Sequence, residues 1–137
     1  QYKYWTGTYD DDELAQIMNT FDVLLEPSMA EGFGLPIVEA QACGIPVVTM
    51  NTTSMPELTY AGKCLEPVQM TWDLSGAFRH VAPVQGIFDS MVWASELGTK
   101  EREELAVLGR KSVMQYDWRE IVDAHMLPFL EELEGEL

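Results

Sequence analysis

Between Phe21 and Gly44 an apolar run, a glycine-rich turn and a helical pattern follow one another without a spacer. Within the apolar run Phe21-Asp22-Val23-Leu24-Leu25, Asp22 to Leu25 reads as a short buried strand. The turn is Pro27-Ser28-Met29-Ala30-Glu31-Gly32-Phe33-Gly34, and the pattern Leu35 to Ala42 reads as a helix. Pro36 suits a helix start, where the N–H it lacks has no partner. Gly44 suits a helix end, where a left-handed residue closes the last turn. Strand, turn and helix in this order place a helix N-terminus just beyond the carboxyl end of a strand. One acid, Glu31, falls in the turn and a second, Glu39, inside the helix, with seven residues between them.

Those residue types suit a particular chemistry. Carboxylates accept hydrogen bonds from hydroxyl-rich ligands. Free amides at a helix start bind phosphate. A ligand carrying both groups would engage both halves of the segment, with Phe33, Gly34 and Leu35 acting through backbone amides. Gly34 lets the chain approach a ligand closely; the competing reading is that Gly32 and Gly34 merely form a tight turn. Thr52, Thr53 and Ser54 are candidates to line the same crevice, with helix capping by Ser54 as the alternative.

The pattern recurs along the chain. Tyr2 to Thr6 reads as a strand ending at Gly7, and Asp10-Asp11-Asp12-Glu13 opens a helix where acids favour the dipole. Leu14, Ile17, Met18 and Phe21 recur at helical spacing. Ile45 to Met50 is an apolar strand, Met55 to Tyr60 a short helical turn, and Lys63 to Glu66 one more strand. Alternation of this kind predicts an α/β fold, a Rossmann-like parallel sheet with helices on both faces. Ligands in such sheets bind at the carboxyl ends of strands, where the Glu31 turn lies. The length of 137 residues predicts a single domain, 1–137.

From Val68 to Val84 the pattern breaks, which predicts an insertion loop (68–84) with His80 as a weak site candidate and Trp72 buried in it, stacking on a ligand ring being the alternative. Gly86 to Leu97, Lys100 to Tyr116 and Trp118 to Leu133 then read as three helices, a helical C-terminal tail. The last carries Ile121, Val122, His125, Met126, Phe129 and Leu130 on roughly one face, with His125 at the edge of the core. Its acidic end, from Glu131 on, is expected to fray.

Charge and cysteine content narrow the partners. The net charge of −15 argues against nucleic acid, which needs clustered Lys and Arg. It also opposes an anionic ligand at long range, so phosphate must rely on local amides or on basic groups supplied from elsewhere. Cys43 and Cys64 are too few for a disulfide scaffold. Both thiols are expected to be buried and reduced, in a cytoplasmic setting. No metal site is expected, since Asp10-Asp11-Asp12 begins a helix as dipole-matched charge. The start, Gln1-Tyr2-Lys3-Tyr4, is not a signal peptide, lacks Met, and is read as the start of a fragment.

Pro27-Ser28-x-x-Glu31-Gly32-Phe33-Gly34-Leu35-Pro36-x-x-Glu39-Ala40, followed by Cys43-Gly44-x-Pro46-Val47-Val48 and Pro56-Glu57-Leu58, resembles the donor-binding half of retaining glycosyltransferases of the GT-B fold, close to glycosyltransferase family 4. Trp5-Thr6-Gly7 and Tyr116-Asp117-Trp118 fit the same pattern. The resemblance implies a partial GT-B C-terminal domain that binds a nucleotide diphosphate sugar as donor substrate, without a further cofactor. It assigns the catalytic position to Glu31, near the reacting carbon of the donor sugar. Gly32, Phe33, Gly34 and Leu35 become donor-binding residues, and Glu39 binds the ribose hydroxyls. The acceptor stays open among glycan, lipid and small molecule. The family's N-terminal acceptor domain and its Arg/Lys pair for the diphosphate have no counterpart here, so the chain is expected to be inactive alone and open to homo-oligomerisation. A peripheral membrane position is left open for a full-length enzyme.

Two other readings compete. Glu31 and Glu39 would serve a glycosidase as an acid and base pair if their carboxyls faced each other across a sugar, about 5–5.5 Å or about 6.5–9.5 Å apart. A non-catalytic α/β module that binds nucleotide or associates with itself is the second.

Overall fold

The computed structural model describes residues 7–74 and 76–135, so the strand expected at Tyr2 to Thr6 lies outside the described residues. Helix α1 spans Asp11–Met18 and opens on a capping box. Asp10 Oδ1 accepts the Glu13 N–H at 2.8 Å, and the Glu13 carboxylate accepts the Asp10 N–H at 3.2 Å. Strand β1, Leu24–Leu25, helix α2, Leu35–Ala42, and strand β2, Val47–Met50, follow as the periodicity requires. Helix α3, Met55–Leu58, and strand β3, Gly62–Leu65, complete the first half.

The three strands form one parallel sheet in the order β1-β2-β3. Leu24 stands opposite Val47, and Val47 opposite Gly62. The ladder runs on past β1, where the Glu26 N–H donates to the Val48 carbonyl at 2.8 Å. Every residue of β2 is buried, so this central strand is covered on both faces, as an all-apolar run implies. This is the Rossmann-like α/β arrangement. Gly62 fits its register for one reason: a Cβ there would sit 1.7 Å from the Val47 carbonyl oxygen. Met18, Ile37, Ala40, Val47, Met50, Met55 and Leu58 form the core between the sheet and its helices.

One buried polar side chain locks α2 to the turn before β3. The Gln41 amide donates to the carbonyls of Ile37 (2.9 Å) and Leu58 (2.7 Å). Its oxygen accepts the N–H groups of Tyr60 (3.0 Å) and Ala61 (2.9 Å). With all four bonds made, a fully buried amide is tolerated.

The stretch 68–84, expected as an irregular loop, contains a hairpin. Strand β4, Gln69–Trp72, pairs antiparallel with strand β5, Phe78–Val81. Trp72 faces Phe78 across the pair, edge to face at 4.8 Å between centroids. Arg79 pairs with Asp73, and Gly76 closes the turn at φ 79°. Each strand is too short to show an alternation in sequence. Trp72, expected in the interior, is 63% exposed, because the hairpin lies on the surface, where its ring packs against the exposed Phe78.

Helix α4, Val84–Glu96, packs beside β3, and helix α5, Thr99–Val113, packs against α2. Arg102 joins the two helices to the start of the sheet, donating to the carbonyls of Ala94 (2.7 Å), Leu97 (3.2 Å) and Asp22 (3.2 Å). The tail continues as a single 3₁₀ turn, Met114–Tyr116, then α6, Trp118–Ile121, capped by Asp117. A π-turn at Val122–Met126 leads into α7, Leu127–Gly135. Pro128 lacks the N–H that would serve the Ala124 carbonyl, and the Leu127 N–H reaches back to Val122; both favour the wider turn. His125 is exposed on this helix rather than at a core edge. Helix α7 runs to Gly135, and residues 136–137 lie outside the described set.

Candidate functional site

The candidate site grows from the turn between β1 and α2. Gly34 is the N-cap of α2 and sits in the left-handed region at φ 102°. A Cβ there would stand 2.9 Å from Ile37 Cδ1, so both the backbone and the core beneath demand glycine. No side chain caps this helix start, and Pro36 lies in its first turn. The start of α2 is thus without a side-chain acceptor for its amides, of which Pro36 has none and that of Ile37 donates to the Gly34 carbonyl at 3.0 Å.

Of three consecutive hydroxyl residues after β2, Thr53 and Ser54 bond the turn directly. The Glu31 N–H donates to Thr53 Oγ1 at 3.1 Å. Ser54 Oγ donates to the Phe33 carbonyl at 2.7 Å and lies 3.4 Å from that of Glu31. Ser54 was open to reading as a helix cap, but it makes no side-chain cap for α3. Its hydroxyl goes instead to the turn, 21 residues earlier. Thr52 Oγ1 and His80 Nδ1 share a hydrogen bond at 2.7 Å.

The two acids of the motif take different neighbours. Glu31 is half-buried on the turn, close enough to Glu26 at the end of β1 for its charge to act there. Burial, and then the Glu31 charge, push the Glu26 carboxyl above its ordinary value. Glu26 carried no signal in sequence beyond its place after the apolar run. Glu39 stands on α2 four residues after Leu35, on the same side of the helix. It lines a groove of about 320 Å³ between α1 and α2, with Asp11, Leu14, Ala15, Met18, Ala42 and Cys43. Burial, and then the Asp11 charge, raise the Glu39 carboxyl above its ordinary value. The residues lining this groove include Glu39 but none of residues 31–35.

The C-terminal segment also reaches the turn. The Phe33 ring, 43% exposed, meets Tyr116 edge to face at 5.5 Å between centroids. The Tyr116 and Tyr60 hydroxyls are 2.7 Å apart, and Gln115 Nε2 donates to Tyr60 Oη at 2.9 Å. Burial first, then the Tyr60 hydrogen bond, push the Tyr116 phenol up to about 12. Of the thiols, Cys43 is half-buried and Cys64 exposed, the latter because it lies on the outer strand β3; both are free. Among the described residues no three His, Cys, Asp or Glu side chains cluster to hold a metal ion, and no helix is long and apolar enough to cross a membrane.

Sheet, turn and uncapped helix together define an α/β protein whose candidate site lies at the carboxyl end of a parallel strand. Residues 3–70 match the family described as glycosyl transferases group 1, and over that stretch the chain belongs to it, as a GT-B type segment. The chain is 44% identical over 54 residues to O-antigen chain mannosyltransferase B of Escherichia coli, a match covering 39% of this chain and 14% of that protein. It is 34% identical over 116 residues to D-inositol 3-phosphate glycosyltransferase of Mycolicibacterium vanbaalenii, covering 82% of this chain and 22% of that protein. The chain therefore spans less than a quarter of either relative.

Proposed function

We propose that this chain is the donor-binding portion of a retaining glycosyltransferase, which moves a sugar from a nucleotide diphosphate sugar to an acceptor hydroxyl. The observation that carries this reading is the α2 N-terminus, uncapped beyond β1, with Glu31 on its entering turn and Glu39 one helical turn inside. Amides of Gly32 to Leu35 would hold the diphosphate by the helix dipole and by direct donation. Glu39 would accept the ribose hydroxyls. On a helix the Cα–Cβ bonds tilt toward the N-terminus, the direction in which the proposed diphosphate would lie from Glu39. Glu31 would accept hydroxyls of the donor sugar and orient the carbon that reacts. The chemistry asked of these groups is positioning and stabilisation of the departing diphosphate.

Several finer points belong to the same reading. Transfer proceeds without a metal ligand from Asp10, whose carboxylate is engaged as the cap of α1. The acceptor, whether glycan, lipid or small molecule, is bound by an N-terminal acceptor domain, and the setting is cytoplasmic. Turnover by this chain alone is not expected. The named relatives are a mannosyltransferase and a D-inositol 3-phosphate glycosyltransferase, which is compatible with hexosyl transfer here. Titration of this chain with UDP and GDP by calorimetry tests the reading. Binding of either diphosphate, competed by the matching nucleotide sugar, is the expected result. Absence of binding by both at millimolar concentration would overturn it for this chain.

A further inference from the structure

The hairpin of β4 and β5 meets the candidate site at His80, and meets it twice. The His80 N–H donates to the Met29 carbonyl at 3.1 Å, on the turn that carries Glu31. Its Nδ1 lies 2.7 Å from Thr52 Oγ1, and Thr52 is buried. The next residue, Thr53, sits in the left-handed region at φ 53°. A β-branched residue seldom adopts that conformation, and it persists only where surrounding bonds over-determine it. Here they do. The Thr53 hydroxyl accepts the Glu31 N–H at 3.1 Å and donates to the Thr52 carbonyl at 2.8 Å. Ser54 completes the set through the Phe33 carbonyl. The three residues therefore form a clip, with the hairpin on one side and the Glu31 turn on the other.

We propose that His80 is a positioning residue for the donor-sugar site, acting through Thr52 and the strained Thr53 to set the Glu31 turn. The inference rests on the functional reading above, but the mechanical link can be tested without any ligand. A histidine that merely fills the space beneath a hairpin would be replaceable by a residue of similar bulk. A histidine that holds Thr52 by a hydrogen bond would be replaceable by asparagine, whose side-chain amide can occupy the place of Nδ1.

The test uses amide spectra of ¹⁵N-labelled chain, followed by titration. His80→Ala is expected to shift the amide signals of Glu31, Gly32 and Phe33, and His80→Asn to restore them. Arg79→Ala breaks the hairpin's own ion pair with Asp73 and is expected to leave those three signals in place. That control separates a loosened hairpin from a lost clip. With UDP-glucose and GDP-mannose as probes, each beside its free diphosphate, His80→Ala is expected to weaken the bound sugar nucleotide about fivefold while changing the free diphosphate little, the loss of about one hydrogen bond's net worth. Unmoved Glu31 and Phe33 signals in His80→Ala would overturn the proposal, as would restoration by His80→Phe. Failure of all four probes with the wild-type chain would sink the functional reading instead, and the amide signals would still decide the role of His80.

Discussion

At Glu39, stability and the proposed ligand binding are set against each other. Its carboxyl is raised by burial and by Asp11, so the folded chain holds the proton more tightly than the unfolded one. A group of this kind supports folding below its ordinary value of 4.5, and that support is lost as the pH rises through the folded value. The charged form therefore opposes folding at neutral pH. Glu39→Gln is expected to raise the melting temperature at pH 7, with the gain fading as the pH falls below 4.5; a gain constant across pH would contradict this. The same substitution is expected to weaken a nucleoside diphosphate about tenfold, since a charge-assisted hydrogen bond contributes about 1.5–3 kcal/mol. Glu31→Gln is expected to leave the free diphosphate almost unaffected, because its proposed partner is the sugar. Calorimetry on both variants reads the difference, and equal losses would remove the proposed division of labour. Gly34→Ala is disfavoured twice, by φ and by Ile37.

Two contacts between elements decide how the site is held. Gln41 joins α2 to the turn before β3 through four hydrogen bonds. Gln41→Leu would leave the Tyr60 and Ala61 N–H groups unpaired, at a cost of roughly 2–6 kcal/mol. Urea unfolding should show the loss as a lower midpoint with an unchanged slope. The second contact is Tyr116, which ties the start of the tail to Tyr60 and to the Phe33 ring. Its phenol is raised to about 12, above an ordinary value of 10. The folded state thus keeps this proton where the unfolded chain would release it, and the corresponding stability is lost between pH 10 and about 12. Tyrosinate absorbance should show a late-titrating group that disappears in Tyr116→Phe.

Across the whole molecule, charge and exposed apolar surface act in opposite directions. Twenty-three acids against eight bases give a chain that repels itself. Raising the salt from about 10 mM to 150 mM shortens the screening length from about 30 Å to 8 Å and is expected to raise the melting temperature; a fall would show that specific ion pairs outweigh the net charge. Met126, Leu127, Phe129, Leu130 and Leu133 are all exposed along the tail helix. The same salt that screens the acids also lowers the barrier to burying these side chains. Sedimentation velocity at the two salt concentrations should show more association at the higher one, and a clean monomer in both would count against it.

Local features were legible without coordinates. The order of β1, α2, β2, α3 and β3 followed from apolar runs, Pro36 and Gly44, because periodicity and capping act within a few residues. The acidic start of α1 and its cap were equally local. The motif acids could be named, yet the groove that Asp11 forms with Glu39 could not be seen, since α1 and α2 meet only through folding. Ser54 reads as a cap in a linear chain and serves the Glu31 turn in the fold. The hairpin escaped because four-residue strands carry too little alternation, and because its anchor, His80, finds Thr52 only 28 residues back along the chain. Gln41 looked like an ordinary helix residue until four partners closed around it. Contacts between residues so far apart depend on how the sheet, helices and hairpin come together, and that no short window of sequence contains.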